Sequence, residues 1–156
     1  MAKYLVFGFD DLLQELNDVN NQIVEICGAA IYEGAAEYAD ELRRQIRAIP
    51  NQSGKPPFRG LLPIQRQGLE EGMGISKAYS TGDGRMVQVG FAGYNNLETD
   101  TYKRGEPNAL IARSLVGGTE WHQKYDFVRK AEAKAKDRAE SKMRDTIEKK
   151  IAQLQK

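Results

Sequence analysis

Between Phe9 and Ile49, apolar or small residues recur at Leu12, Leu16, Val19, Ile23, Ile26, Ala30, Gly34, Tyr38, Leu42, Ile46 and Ile49, always three or four positions apart. This spacing predicts one amphipathic helix of about 40 residues, ~60 Å long at 1.5 Å per residue. A chain of 156 residues fits a single domain narrower than that. The helix is therefore expected either to kink or to pack partly on a neighbouring subunit. Asp10 is its expected N-cap and Asp11 adds favourable charge to the first turn, while Arg43, Arg44 and Arg47 suit the opposite end of the dipole. Pro50 should stop it, because a residue before proline is pushed out of the helical region. The small residues Gly28, Ala29, Ala30, Gly34, Ala35 and Ala36 would let another backbone come close.

Residues 50–72 contain four of the five prolines and four glycines, so they are read as a long loop or arm with no regular element of length. Its embedded apolar residues Phe58, Leu61, Leu62 and Ile64 suggest that it docks on something rather than staying solvated. Next, "GISKAYS" and "RMVQVGF" flank "TGDG", a β-hairpin signal in which Val87, Val89 and Phe91 would face the helix and Gln88 would not. A second extended loop, 93–108, leads to "ALIARSLVGGT", either a short strand or a helical turn. From 125 to 155 a narrow stripe, Phe127, Val128, Ala131, Ala135, Ala139, Met143, Ile147, Ile151 and Leu154, predicts a second long helix. Acids four residues before bases, as in Glu132 and Lys136, support it locally. The expected class is α+β: long N-terminal and C-terminal helices packed on a small antiparallel sheet containing a hairpin, in a single domain of residues 1–156.

The net charge of +1 conceals an uneven distribution. Residues 1–49 carry four Lys/Arg against nine Asp/Glu, and residues 129–156 carry ten against five. Such opposite ends could bind the two terminal helices to each other, join the acidic part of one copy to the basic part of the next, or set a basic helix near nucleic acid. Aromatic residues at 8% and a mean hydropathy of −0.61 indicate a modest core, so part of the buried surface is expected from partners. No apolar run approaches the roughly 18 residues of a membrane span, and "MAKYLVFGFDD" does not read as a signal peptide, so a cytosolic protein is expected. Cys27 is the only cysteine, which excludes an internal disulfide and multi-cysteine zinc patterns; its place in the helical stripe predicts a buried small residue.

Catalysis by histidine has only His122 to use. Ser114, Glu120 and Asp126 are near in sequence, yet neither the Gly-x-Ser-x-Gly elbow nor the His-Glu-x-x-His spacing is present. His122 is read as a surface-loop residue beside an aromatic anchor, Trp121, whose substitution should harm folding or assembly while substitution of His122 does little. Glu70 and Glu71 are adjacent and their side chains diverge, which does not suit paired-carboxylate chemistry. "GDGR" lacks the phosphate-loop pattern and reads as a turn. No catalytic residue, metal or cofactor is expected. The C-terminal helix permits a nucleic-acid reading, marked by binding that weakens steeply with salt and is lost when Lys134, Lys142 and Lys149 become Glu. Interleaved acids make a solvated face the better account.

The order of elements adds a further expectation. A long helix opening with "GFDDLLQEL", a Pro/Gly loop, a hairpin ending in "VGF", an apolar stretch ending in Gly-Thr and a helix entered through aromatic-Val-Arg-Lys-Ala together resemble the tail-completion family of long-tailed bacteriophages and prophages. That family has an acidic-aromatic-Gly-Thr turn and a Pro-Phe-x-Arg-x-Ala helix start. The matching positions here are Gly118 and Thr119, then Phe127, Arg129 and Ala131, with Val116, Gly117 and Asp126 as departures. The resemblance implies a virion component, made in the host cytoplasm, that forms a ring, for example a hexamer, and joins the tail tube or tail terminator to the head-tail connector. Non-specific contact with the DNA passing through such a ring is compatible with the basic helix. Phe58, Leu61, Leu62, Ile64, Trp121, Phe127 and Arg129 are the candidate subunit or partner contacts, and Gly117, Gly118 and Thr119 the candidate turn.

Overall fold

In a computed structural model, residues 10–82 and 84–156 are described, with side chains from Asn17 onward. The expected cap at Asp10 and the stripe positions Leu12 and Leu16 therefore fall outside the described side chains. The protein is α+β, with four helices and one interrupted β-hairpin among the described residues.

Helix α1, Asp10–Ala48, runs unbroken for 39 residues, or ~58 Å. Helix α4, Phe127–Leu154, lies antiparallel along it. Gly34 lies on this seam: an added Cβ would come within 2.7 Å of Met143 Cγ and 3.4 Å of the Ala139 carbonyl oxygen. Gly28, six residues earlier on α1, receives the hairpin, with Arg85 and Ala78 in contact distance of the position a Cβ would take. The small residues of α1 thus admit two different elements. Cys27, expected to be buried, is half-buried.

Burial along the two helices is graded. Ile26, Ala30, Ala39, Leu42, Ile46 and Ile49 of α1 and Phe127, Ala131 and Ala135 of α4 are buried. Toward the other end the same stripes emerge into solvent, leaving Val19, Ile23, Ile151 and Leu154 exposed. The helix pair thus extends beyond the core as a two-helix arm. At the seam the buried Glu41 carboxylate accepts from Gln45 Nε2 (2.8 Å) and Arg44 Nη1 (2.9 Å) of its own helix and from Arg138 Nη2 (2.8 Å) across it. These bonds, led by Gln45, outweigh burial and hold its pKa down at about 2. Arg138 also lies 3.8 Å from Glu37. The opposite charges of the chain ends are thus used, at least in part, within one molecule.

The segment after α1 corrects one expectation. Only residues 50–62 are irregular; Pro63–Gly72 form helix α2. Proline has no N–H to lose at the first helical position, and Gln65 Oε1 accepts from Leu62 N at 3.1 Å, occupying a donor just ahead of the helix. The 50–62 loop closes on itself through Gln52 N to Leu61 O (2.8 Å), Ser53 N to Arg59 O (2.9 Å) and Leu61 N to Pro50 O (3.0 Å). Gly60 has φ +83°, and an added Cβ would meet the Pro50 carbonyl oxygen at 2.2 Å, so only glycine fits there.

The hairpin spans four short strands, β1 (Met73–Ile75), β2 (Tyr79–Thr81), β3 (Gly84–Met86) and β4 (Val89–Phe91). β1 pairs with β4 and β2 with β3, both antiparallel. Between the pairs, three residues (76–78) oppose two (87 and 88), so a bulge bends the hairpin onto α1. Val89 and Phe91 pack on the core as expected, and the Phe91 ring meets Phe127 edge-on at 5.9 Å. Val87, expected beside them, sits at the bulge outside the paired strands. The 93–108 loop is cinched at its base, where Tyr94 bridges Pro107 and Asn95 N donates to Glu106 O at 2.9 Å. "NALIARSLVG", left between strand and turn by its sequence, is helix α3, Asn108–Gly117.

Candidate functional site

Helix α3 ends at the Gly-Gly-Thr turn. Gly118 takes φ +75°, a conformation that favours glycine, and its N–H returns to the Ser114 carbonyl at 2.9 Å. Thr119 Oγ1 then accepts from the backbone N–H of both Trp121 (3.2 Å) and His122 (3.1 Å), and Thr119 N donates to His122 O at 2.8 Å. Phe58, from the 50–62 loop, clamps the same stretch: its N–H donates to Trp121 O at 2.7 Å and its carbonyl accepts from Gln123 N at 2.9 Å. Tyr125 N reaches back to Leu115 O (2.7 Å), and Asp126 caps α4 by accepting from Arg129 N at 3.0 Å. The helix starts at Phe127, two residues later than expected.

This closure corrects the surface reading of His122 and, of the two roles expected for Trp121, the one as an anchor of the fold. His122 is the buried one, 7% exposed, and its Nδ1 lies 2.7 Å from Ser114 Oγ. Trp121 is 59% exposed. His122 is therefore the anchor of the joint, and Trp121 contributes little to the core. Burial pushes the His122 pKa down, partly opposed by the negative charge of Glu106. The imidazole is thus held neutral.

Of the residues adjacent in sequence, only Ser114 is brought to His122. Glu120 is exposed and forms no hydrogen bond to it among the described residues, and the Asp126 carboxylate is used as a helix cap. The carboxylate that His122 senses is Glu106, sixteen residues earlier and invisible to a local reading. Glu106 Oε2 accepts from Gln65 Nε2 (3.0 Å) and Asn95 Nδ2 (3.2 Å). Ser114 lies inside a regular helix, away from the free N–H groups at its start that an oxyanion would need. The Ser114–His122 pair accordingly reads as a structural pin. Among the described residues no three His, Cys, Asp or Glu side chains converge as metal ligands would, and no helix is long and apolar enough to cross a membrane.

Beside the pin lies a cavity of about 630 Å³, lined by Leu110, Ile111, Trp121 and His122 together with Asp100 and Glu106. Of the expected contact residues, Leu61 and Phe127 are fully buried in the core and so have no surface to offer a partner. Phe58, Leu62 and Ile64 are half-buried, and Trp121 and Arg129 are exposed. Comparison with protein-family models, with curated proteins and with solved structures gave no match.

Proposed function

We propose that this chain is a structural assembly subunit of a long-tailed phage or prophage virion, of the tail-completion type. Its copies join as a ring that connects the tail tube to the head connector, in the virion and, during assembly, in the host cytoplasm. The element order that carries the resemblance is one support. The observation that carries most is the placement of apolar surface: a lone exposed tryptophan whose backbone is clamped on both sides, and exposed Val19, Ile23, Ile151 and Leu154 at the end of the two-helix arm. Apolar groups grouped outside a core mark surfaces meant for a partner, and tryptophan is among the residues that anchor such contacts most strongly. Arg129 stands exposed at the start of α4, suited to the polar rim of such a contact.

Electron microscopy and light scattering of the purified protein test the reading. Rings, or higher-order species that grow with concentration or on adding a tail or connector component, are the expected result. A strictly monomeric protein that binds neither component under assembly conditions refutes it.

A further inference from the structure

Among the described residues, two exposed apolar surfaces stand at opposite ends of α4. At the far end Ile151 and Leu154 are exposed, and the last eight residues, Lys149 to Lys156, carry three lysines and no acid. At the near end, exposed Trp121 and Leu110 line the 630 Å³ cavity, whose lining includes Asp100 and Glu106 but no lysine or arginine. Lys103 pairs with Asp100 at 3.3 Å, but both side chains are in water and such a pair is worth little. Glu106 is bonded only to the amides of Gln65 and Asn95 among the described side chains. The cavity therefore joins an apolar wall of Leu110, Ile111 and Trp121 to two carboxylates that only the water-exposed Lys103 offsets, and its size lies in the range of about 300–1,000 Å³ that encloses small ligands or a few side chains.

We infer that this cavity receives the C-terminal turn of α4 from a second copy of the chain. Ile151 and Leu154 would lie against Trp121 and Leu110, with Lys150, which flanks that face of the helix, directed to Asp100 and Glu106. The occupant cannot be the same molecule's own helix end. Trp121 lies six residues before α4 begins, and the 28 residues of α4 carry Leu154 some ~42 Å away along a regular helix. The contact joins two different surfaces and is head-to-tail, the type that generates a ring when the rotation per step closes. This inference rests on the assembly reading above and specifies its joint.

Trp121 is the only tryptophan, so its fluorescence reports on the cavity directly. In a concentration series of the full chain, a blue shift of its emission should rise together with the mass measured by light scattering. Leu154→Asp should abolish both and Lys150→Glu should weaken both; the two positions are exposed, and circular dichroism verifies that the variants fold. Leu110→Asp should stay monomeric as well. Mixing it with Leu154→Asp should restore one intact joint and yield a dimer. Association without an emission shift, or association that survives Leu154→Asp, overturns this joint and leaves the assembly reading standing. A protein that is monomeric at every concentration also overturns the joint, and overturns the assembly reading too if tail and connector components are not bound.

Discussion

Replacing His122 tests the inverted roles of the Trp-His pair most directly. His122→Ala removes a side chain that is 7% exposed and leaves Ser114 Oγ without its 2.7 Å partner. An orphaned buried hydroxyl costs about 1–3 kcal/mol, toward the low end here because a helical serine can turn to a carbonyl of its own preceding turn. Loss of packing adds about 1–2 kcal/mol, so the expected destabilisation is about 2–4 kcal/mol. Trp121→Ala, at an exposed position, should change stability by no more than about 0.5 kcal/mol.

The pH dependence sharpens the test. Burial places the folded pKa of His122 below its ordinary 6.5, so the unfolded chain takes up the proton first. The stability this group contributes is complete above pH 6.5 and is lost as the pH falls from 6.5 toward the folded value. The slope cannot exceed about 1.4 kcal/mol per pH unit for one proton. As His122 is the only histidine, no other side chain of ordinary pKa titrates in that window. Urea unfolding followed by circular dichroism at pH 7.5, 6.5 and 5.5 should show wild type losing stability across the lower interval and His122→Asn losing less. Equal stability of wild type and His122→Ala at pH 7.5, or parallel pH profiles for wild type and His122→Asn, would refute the pin.

The seam between α1 and α4 gives a second pH signature. The Glu41 pKa of about 2 lies below its ordinary 4.5, so its contribution is complete above pH 4.5 and disappears as the pH falls toward 2. The exposed Arg44 and Arg138 weaken it by screening, and Glu41→Gln should cost about 1–2 kcal/mol at pH 7 and much less at pH 2.5, measured by urea unfolding. Gly34→Leu should separate the helices at Met143 and destabilise by about 1–3 kcal/mol, whereas Gly34→Ala should be near neutral, since the flexible methionine can move and alanine favours the helix by about 1 kcal/mol; thermal unfolding of both variants reads the difference. Gly60→Ala sets a Cβ against a backbone carbonyl at positive φ and should cost more than about 2 kcal/mol, seen as a lowered urea midpoint.

The two long helices were legible because their stripes keep a period of three or four over many turns, and the hairpin because a Gly/Asp turn separates two alternating segments. Helix α2 was hidden by the proline and glycine content of its surroundings, although Pro63 at a first helical position is itself a start signal. Its Gly68 serves packing, since a Cβ there would meet Asn108 Oδ1 and Asn95 Cβ at 2.5 and 2.6 Å. "NALIARSLVG" is too short for periodicity to tell a buried helix from a strand. Glu41 and Gln45 look like polar-face residues on α1 and are buried because they form their own bonded network against Arg138. The reversal at Trp121 and His122 was unreadable for the same reason. Which of two adjacent residues points inward depends on Phe58, more than sixty positions upstream, pinning the backbone between them.

That clamp also connects the fold to the proposed assembly. A partner contact is weakened by whatever ordering the binding surface must undergo, at about 0.5–1.5 kcal/mol for each side chain immobilised. Here the backbone around Trp121 is already fixed by Thr119 on one side and Phe58 on the other, with His122 locked to α3 beneath it. The exposed indole is therefore presented from a rigid joint, and the structural cost of rigidity is met within the monomer by a neutral histidine and a serine. The adjacent residues divide one task, the histidine holding the turn and the tryptophan offering the surface, so loss of the first should weaken folding and loss of the second should weaken association alone.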